Sequence, residues 1–201
     1  MIKLGVLISG SGTNLQAILN AINGGSLNAQ VALVISSKAD ALGLKRAHEA
    51  GVATVGLTPQ VYADPLAADA LITQQLLDAA VDYVVMAGYM RKVGPLLLGA
   101  FANRVINIHP ALLPAFPGAH GIADAFNAGV KVTGVTVHFA NEAYDRGPII
   151  AQQALPILEQ DTLESLEERI HAIEHTLYPQ TLELIAQGRV SITAHNKVHI
   201  A

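Results

Sequence analysis

Residues 4–18 read Leu4-Gly5-Val6-Leu7-Ile8-Ser9-Gly10-Ser11-Gly12-Thr13-Asn14-Leu15-Gln16-Ala17-Ile18. An apolar run of strand length breaks at two glycines and passes straight into Leu15, Ile18, Leu19 and Ile22, which recur at helical spacing. Strand, tight turn and helix in that order open a βαβ unit. Further β-type runs follow at Val31–Ser36, Ala53–Leu57, Tyr83–Met86 and Val105–His109. Between them lie a predicted helix over Ala41–Ala50 and another starting at Asp64-Pro65, with an acidic N-cap and a first-turn proline. The expected fold class is α/β, a doubly wound, mostly parallel sheet.

After Val105–His109 the rhythm changes to a Pro- and Gly-rich stretch, Pro110 to Gly118, long enough to be a functional surface. Two added strands are expected at Val132–Phe139 and Ile149–Pro156, around a loop from Ala140 to Pro148. A long C-terminal helix follows, capped by Asp161-Thr162-Leu163-Glu164, with Leu163, Leu166, Ile170, Ile173 and Leu177 on one face. Pro179 is expected to kink or interrupt it, and the tail after Gly188 to hold one short strand and a loose end. With no repeat and no linker, residues 1–201 are expected to form a single domain.

Composition narrows the function. Apolar residues make up 51% and charged residues 14%, which suits fully buried strands and excludes disorder. A formal charge of -4 offers no broad attraction to a polyanion, so neither nucleic acid nor an acidic membrane is expected as partner. The apolar N-terminus breaks at Ser9 too early for a signal core, and no run approaches the roughly 20 residues that span a bilayer. The absence of Cys removes thiolate chemistry and fits a reducing, cytoplasmic setting.

Two motifs carry chemistry. Ser9 to Asn14 joins a strand to a helix N-terminus, where backbone N–H groups and the helix dipole favour an anion. The Walker lysine and the third glycine of the dinucleotide fingerprint are missing, so a phosphomonoester suits it better than a dinucleotide; an ordinary βα turn is the bland alternative. In Asn107-Ile108-His109-Pro110, residues two apart on a strand share a face, so an amide and an imidazole point together. Such a pair suits a carbonyl that becomes a tetrahedral oxyanion under amine attack, though capping explains an isolated Asn-His pair equally well. Asp145, in the turn Tyr144 to Pro148, is the candidate carboxylate that keeps the imidazole protonated.

The separated motifs agree in order with a known family. Ile8 to Ile18, Met86-Ala87-Gly88-Tyr89-Met90-Arg91, Asn107 to Pro114, Val135-Thr136-Val137-His138-Phe139 and Asp145 to Gln152 resemble the phosphoribosylglycinamide formyltransferases over nearly the whole chain. The resemblance implies a Rossmann-like formyltransferase fold and a cytoplasmic enzyme of purine synthesis, monomeric or homodimeric. It implies 10-formyltetrahydrofolate as donor, glycinamide ribonucleotide as acceptor, and no metal. Asn107, His109 and Asp145 fall on the family's catalytic trio. Gly12, Thr13 and Asn14 are implied to hold the phosphate, Glu174 the ribose. Met90, Arg91, Lys92 and Val93 are implied to face the folate across the loop from Asn141 to Asp145, with Asn141, Glu142, Ala143 and Tyr144.

The chain departs from that pattern in places. No basic residue stands just before the helix that begins Ala63-Asp64-Pro65-Leu66, Ala111 stands where Ser is common, and Ala119 and Gly121 flank His120 where bulkier residues are usual. Competing readings differ in what they require. His171-Ala172-Ile173-Glu174-His175 matches a zinc pattern, but Glu183, the later acid, lies on the same predicted helix. His138, alternating with apolar neighbours, reads as a structural histidine. Folate hydrolases, amino-sugar formyltransferases and methionyl-tRNA formyltransferases share the Asn-x-His and Asp elements, but the hydrolase and the tRNA enzyme carry extra domains for which 201 residues leave no room. A non-catalytic nucleotide-binding module would have no need of all three polar positions.

Overall fold

The computed structural model describes residues 1–201. A seven-stranded sheet runs through it in the order β3-β2-β1-β4-β5-β6-β7. Its strands are β1 (Ile2–Ile8), β2 (Ala29–Ser36), β3 (Ala53–Gly56), β4 (Tyr83–Met86), β5 (Val105–His109), β6 (Val132–Phe139) and β7 (Ile149–Pro156). The first five are mutually parallel, whereas β6 and β7 run antiparallel. The helices are α1 (Thr13–Asn23), α2 (Leu42–Glu49), α3 (Pro65–Asp78), α4 (Pro95–Ala100), α5 (Gly121–Asn127) and α6 (Leu163–Ala186). The expected doubly wound architecture with added C-terminal strands and a long helix is present.

The strands alternate between two cores. Leu4, Val6 and Ile8 of β1, with Ile106 and Ile108 of β5, pack beneath α1 and α6, while Leu7, Val84, Met86 and Val105 face α3 and α4. Both faces are covered, which is why these strands read as continuous apolar runs. Gly5 permits this on the second face, because a Cβ there would collide with Leu76 of α3. Tyr178 of α6 is fully buried, and its hydroxyl lies 3.0 Å from the carbonyl oxygens of both Met86 and Ile106. That shared donor ties α6 to β4 and β5 immediately before their functional ends.

Four details differ from expectation. The α6 cap is Thr162, whose hydroxyl accepts from Ser165 N–H while Ser165 reaches back to Thr162; Asp161 instead binds Arg169. Pro179 does not interrupt α6, since that helix is held on both sides of the proline by buried Tyr178 and Leu182. The tail forms two strands, β8 (Val190–Ile192) and β9 (Val198–Ile200), paired antiparallel through a turn at Thr193–Lys197. Helix α4 was hidden in sequence because its N-cap is Gly94; Asp69 of α3 supplies the acceptor, taking N–H bonds from Gly94 and Leu96 at 3.0 and 2.7 Å.

Candidate active site

Chain connections leave β1 toward β2 on one side and β4 toward β5 on the other, so the carboxyl ends of β1 and β4 part and open a crevice. A cavity of about 410 Å³ lies there. Its walls are the Gly10–Asn14 turn, Ala87 to Met90, Asn107 to Pro110, Gly118, Ala119, Tyr144, and His171 and Glu174 of α6. A larger, more open cleft of about 640 Å³ between α1 and α6 shares only Thr13 with it and holds none of the candidate trio. The smaller cavity is therefore the chemically relevant one.

At one end, Gly12 adopts φ 71 as the N-cap of α1, with no side chain capping the helix. Glycine is required twice over: for the left-handed backbone, and because a Cβ would press on the Cα of Gly43 in α2. Thr13 and Asn14 are the first helical residues and not caps. Their backbone N–H groups and that of Gly12 bond to no acceptor in the protein, the first turn being closed by Gln16 N–H to the Gly12 carbonyl. The Asn14 side chain turns inward and donates to Glu174 Oε2 at 3.0 Å, while its Oδ1 has no partner.

Glu174 is buried, and loss of solvent raises its carboxyl pKa despite the Asn14 bond. A carboxyl raised on folding contributes stability below its unfolded value, and that contribution is lost as pH rises through the folded one. Glu174→Gln is thus expected to raise the thermal midpoint by about 2–4 °C near pH 8, with no gain near pH 4. Calorimetry at the two pH values checks this; a lower midpoint near pH 8 would contradict it.

At the other end a polar cluster gathers. Asn107 and His109 project from the face of β5 opposite Ile106 and Ile108, and both line the cavity. Asp145 is buried, with φ 54, and its Oδ2 accepts the Gly118 N–H at 2.8 Å. That oxygen lies 3.6 Å from His109 Nδ1, and Oδ1 lies 3.7 Å from His138 Nε2. His109 Nε2 is 2.8 Å from the Phe116 carbonyl. The ring is thus hydrogen-bonded through Nε2, while Nδ1 faces the Asp145 carboxylate.

His138 is different. Its Nδ1 meets the Phe139 carbonyl at 3.0 Å and so carries the hydrogen, leaving Nε2 to accept from Asn107 Nδ2 at 3.2 Å. Burial lowers the pKa of this ring, keeping it neutral. One amide hydrogen of Asn107 is thereby spent on His138, which orients the group. The sequence reading placed His138 among structural histidines; it is instead part of the cluster. Register pairs Asn107 with His138 and His109 with Thr136 across β5 and β6. Thr136 and His138, two polar residues two apart on β6 and so on one face of it, were the available signal.

The segments expected to face the donor divide. Lys92, Val93, Asn141, Glu142 and Tyr144 line a recess of about 40 Å³ with Asn107, His138 and Asp145. Asn107 and Tyr144 belong to both the recess and the larger cavity, so the two meet at the cluster. Met90 faces the larger cavity. Arg91 stacks over Tyr62 at 4.6 Å in an adjoining hollow, and Ala143 lines another beside Pro95. Lys92 lies 5.8 Å over the Tyr144 ring, joining the two segments. Ser9, not singled out in sequence, accepts the Met90 N–H at 2.8 Å.

The zinc-like triplet does not converge. His171 lines the 410 Å³ cavity, His175 lines the other cleft, and Glu174 is turned onto Asn14. The unusual Gly121 is explained by the cluster itself, since a Cβ there would sit 3.0 Å from His109 Nε2 and 3.1 Å from the Phe116 carbonyl.

The chain is similar to known proteins in both sequence and fold. Residues 2–182 match the formyl transferase family. The chain is 43% identical over 183 residues to phosphoribosylglycinamide formyltransferase of Bacillus subtilis (strain 168), covering 91% of this chain and 94% of that protein. It is 41% identical over 193 residues to the trifunctional purine biosynthetic protein adenosine-3 of Drosophila melanogaster, covering 95% of this chain but only 14% of that protein. The crystal structure of glycinamide ribonucleotide transformylase 1 from Symbiobacterium toebii superposes with a TM-score of 0.96 at 51% identity, covering 100% of this chain and 94% of that one. The chain therefore belongs to the phosphoribosylglycinamide formyltransferases of the formyl transferase family.

Proposed function

We propose that this chain transfers the formyl group of 10-formyltetrahydrofolate to the amine of glycinamide ribonucleotide, in a single domain spanning residues 1–201 and in the cytoplasm. One observation carries the reading: Asp145 lies 3.6 Å from His109 and 3.7 Å from His138, beside Asn107, where their recess meets the cavity whose far end is the Gly12–Asn14 turn. The phosphate binds the N–H groups of Gly12, Thr13 and Asn14 at the positive end of α1. Glu174, held by Asn14, accepts from the ribose hydroxyls. The amine then points toward Asn107, where cavity and recess meet.

The donor ring enters between Lys92-Val93 and the Asn141–Asp145 loop, which part at the Lys92–Tyr144 contact to admit it. Met90, Arg91, Glu142 and Ala143 border its path. As the amine nitrogen bonds to the formyl carbon, the carbonyl oxygen gains negative charge. The free Asn107 N–H donates to it, and the His109 Nε2–H, now on the Phe116 carbonyl, turns to donate a hydrogen bond to it. Asp145 takes the ammonium proton through water and returns it to the folate nitrogen as the oxyanion re-forms the carbonyl and the carbon–nitrogen bond breaks. No covalent enzyme intermediate is needed.

The test is to mix the protein with 10-formyltetrahydrofolate and each candidate amine while following folate absorbance. Turnover dependent on glycinamide ribonucleotide is expected. Formate release with no amine present would favour a hydrolase instead.

A further inference from the structure

The anion turn is clamped from behind by α2. Gly43 N–H donates to the Gly10 carbonyl at 3.0 Å, and Arg46 Nε donates to the Ser11 carbonyl at 2.9 Å. The same guanidinium reaches Gln16 Oε1 through Nη1 at 3.3 Å, joining the turn to the first helical turn of α1. Carbonyl oxygens repel a phosphate, and here those preceding the N–H groups of Ser11 and Gly12 are drawn toward donors outside the cavity. Arg46 lines only the neighbouring cleft, forms no ion pair, and so keeps its full charge behind the turn.

We propose that Arg46 is a positioning residue for the phosphorylated substrate: it holds the Ser11 carbonyl away from the phosphate and places an unneutralised cation behind it. This rests on the functional reading above. An arginine suits the place because its planar fork binds Ser11 and Gln16 together, which a lysine ammonium does less well. The contribution is specific to the anionic half of the site, since Arg46 touches neither the Asn107 cluster nor the recess beside Lys92.

Arg46→Gln and Arg46→Lys test this by steady-state kinetics and by protection against thermal unfolding with inorganic phosphate as probe. For Arg46→Gln, the KM for glycinamide ribonucleotide and the inhibition constant of inorganic phosphate should rise together by roughly tenfold, equivalent to one hydrogen bond to a charged group. The KM for 10-formyltetrahydrofolate and kcat should stay within about twofold, and Arg46→Lys should fall between the two proteins. A merely structural arginine would raise both KM values together or lower kcat, and either result, or an unchanged ribonucleotide KM, overturns the inference. If the wild type forms no product with the ribonucleotide, the functional reading fails by itself. Phosphate protection then decides on Arg46: weaker protection of both variants upholds its role, and equal protection removes it. Should Arg46→Gln not fold, Arg46→Lys carries the same comparison.

Discussion

Replacing Asp145 with Asn is expected to lower kcat by about 10³-fold while both KM values change little, within the range for loss of a positioned acid–base group. The substitution is well suited to isolating charge. Asp145 sits at φ 54, a conformation that asparagine tolerates better than other residues, and an amide oxygen can still accept the Gly118 N–H. The backbone of the Tyr144–Pro148 turn should therefore hold. What disappears is the negative charge 3.6 Å from His109 Nδ1 and 3.7 Å from His138 Nε2. His109 loses the carboxylate facing its ring inside a site where solvent does not replace it, and the amine loses its proton acceptor. Steady-state and single-turnover kinetics measure the effect; a kcat within a few-fold of wild type would remove Asp145 from the chemistry.

Asn107→Ala should cost about 10²–10³-fold in kcat, the usual effect of deleting one oxyanion donor. The loss exceeds that of an ordinary surface amide because the group is preorganised. His138 Nε2 takes one N–H at 3.2 Å and is itself locked by the Phe139 carbonyl, so the second N–H is directed without reorganisation when charge develops. Substrate affinity should be little altered, since the bond strengthens only as the oxyanion forms. Combining Asn107→Ala with Asp145→Asn should cost less than the product of the single effects, because the groups act as a unit. Fully multiplicative losses would show that they act separately.

The alternating strand and helix periods, the glycine turn after β1 and the Asp64-Pro65 start of α3 were legible along the chain because each depends on neighbours within about one helical turn. The Asn107–His109 pair was legible for the same reason: period-two geometry places them on one face of β5. Asp145 could be nominated only as a carboxylate in a turn, or through family resemblance. Its approach to His109 spans 36 residues of chain and depends on β6 adding antiparallel to β5 and β7 antiparallel to β6.

Local interactions, then, were enough to specify the elements, the parallel sheet and the residue types able to do acyl-transfer chemistry. Tertiary packing alone decided that His138 faces Asn107 across a strand pair, that Asp69 caps α4, that Arg46 bolts down the anion turn, and that Tyr178 joins α6 to β4 and β5. Each of these is a bond between groups far apart in sequence. Such partners are selected by which faces the folded sheet brings within about 3 Å, a distance that no pattern along one strand or helix encodes.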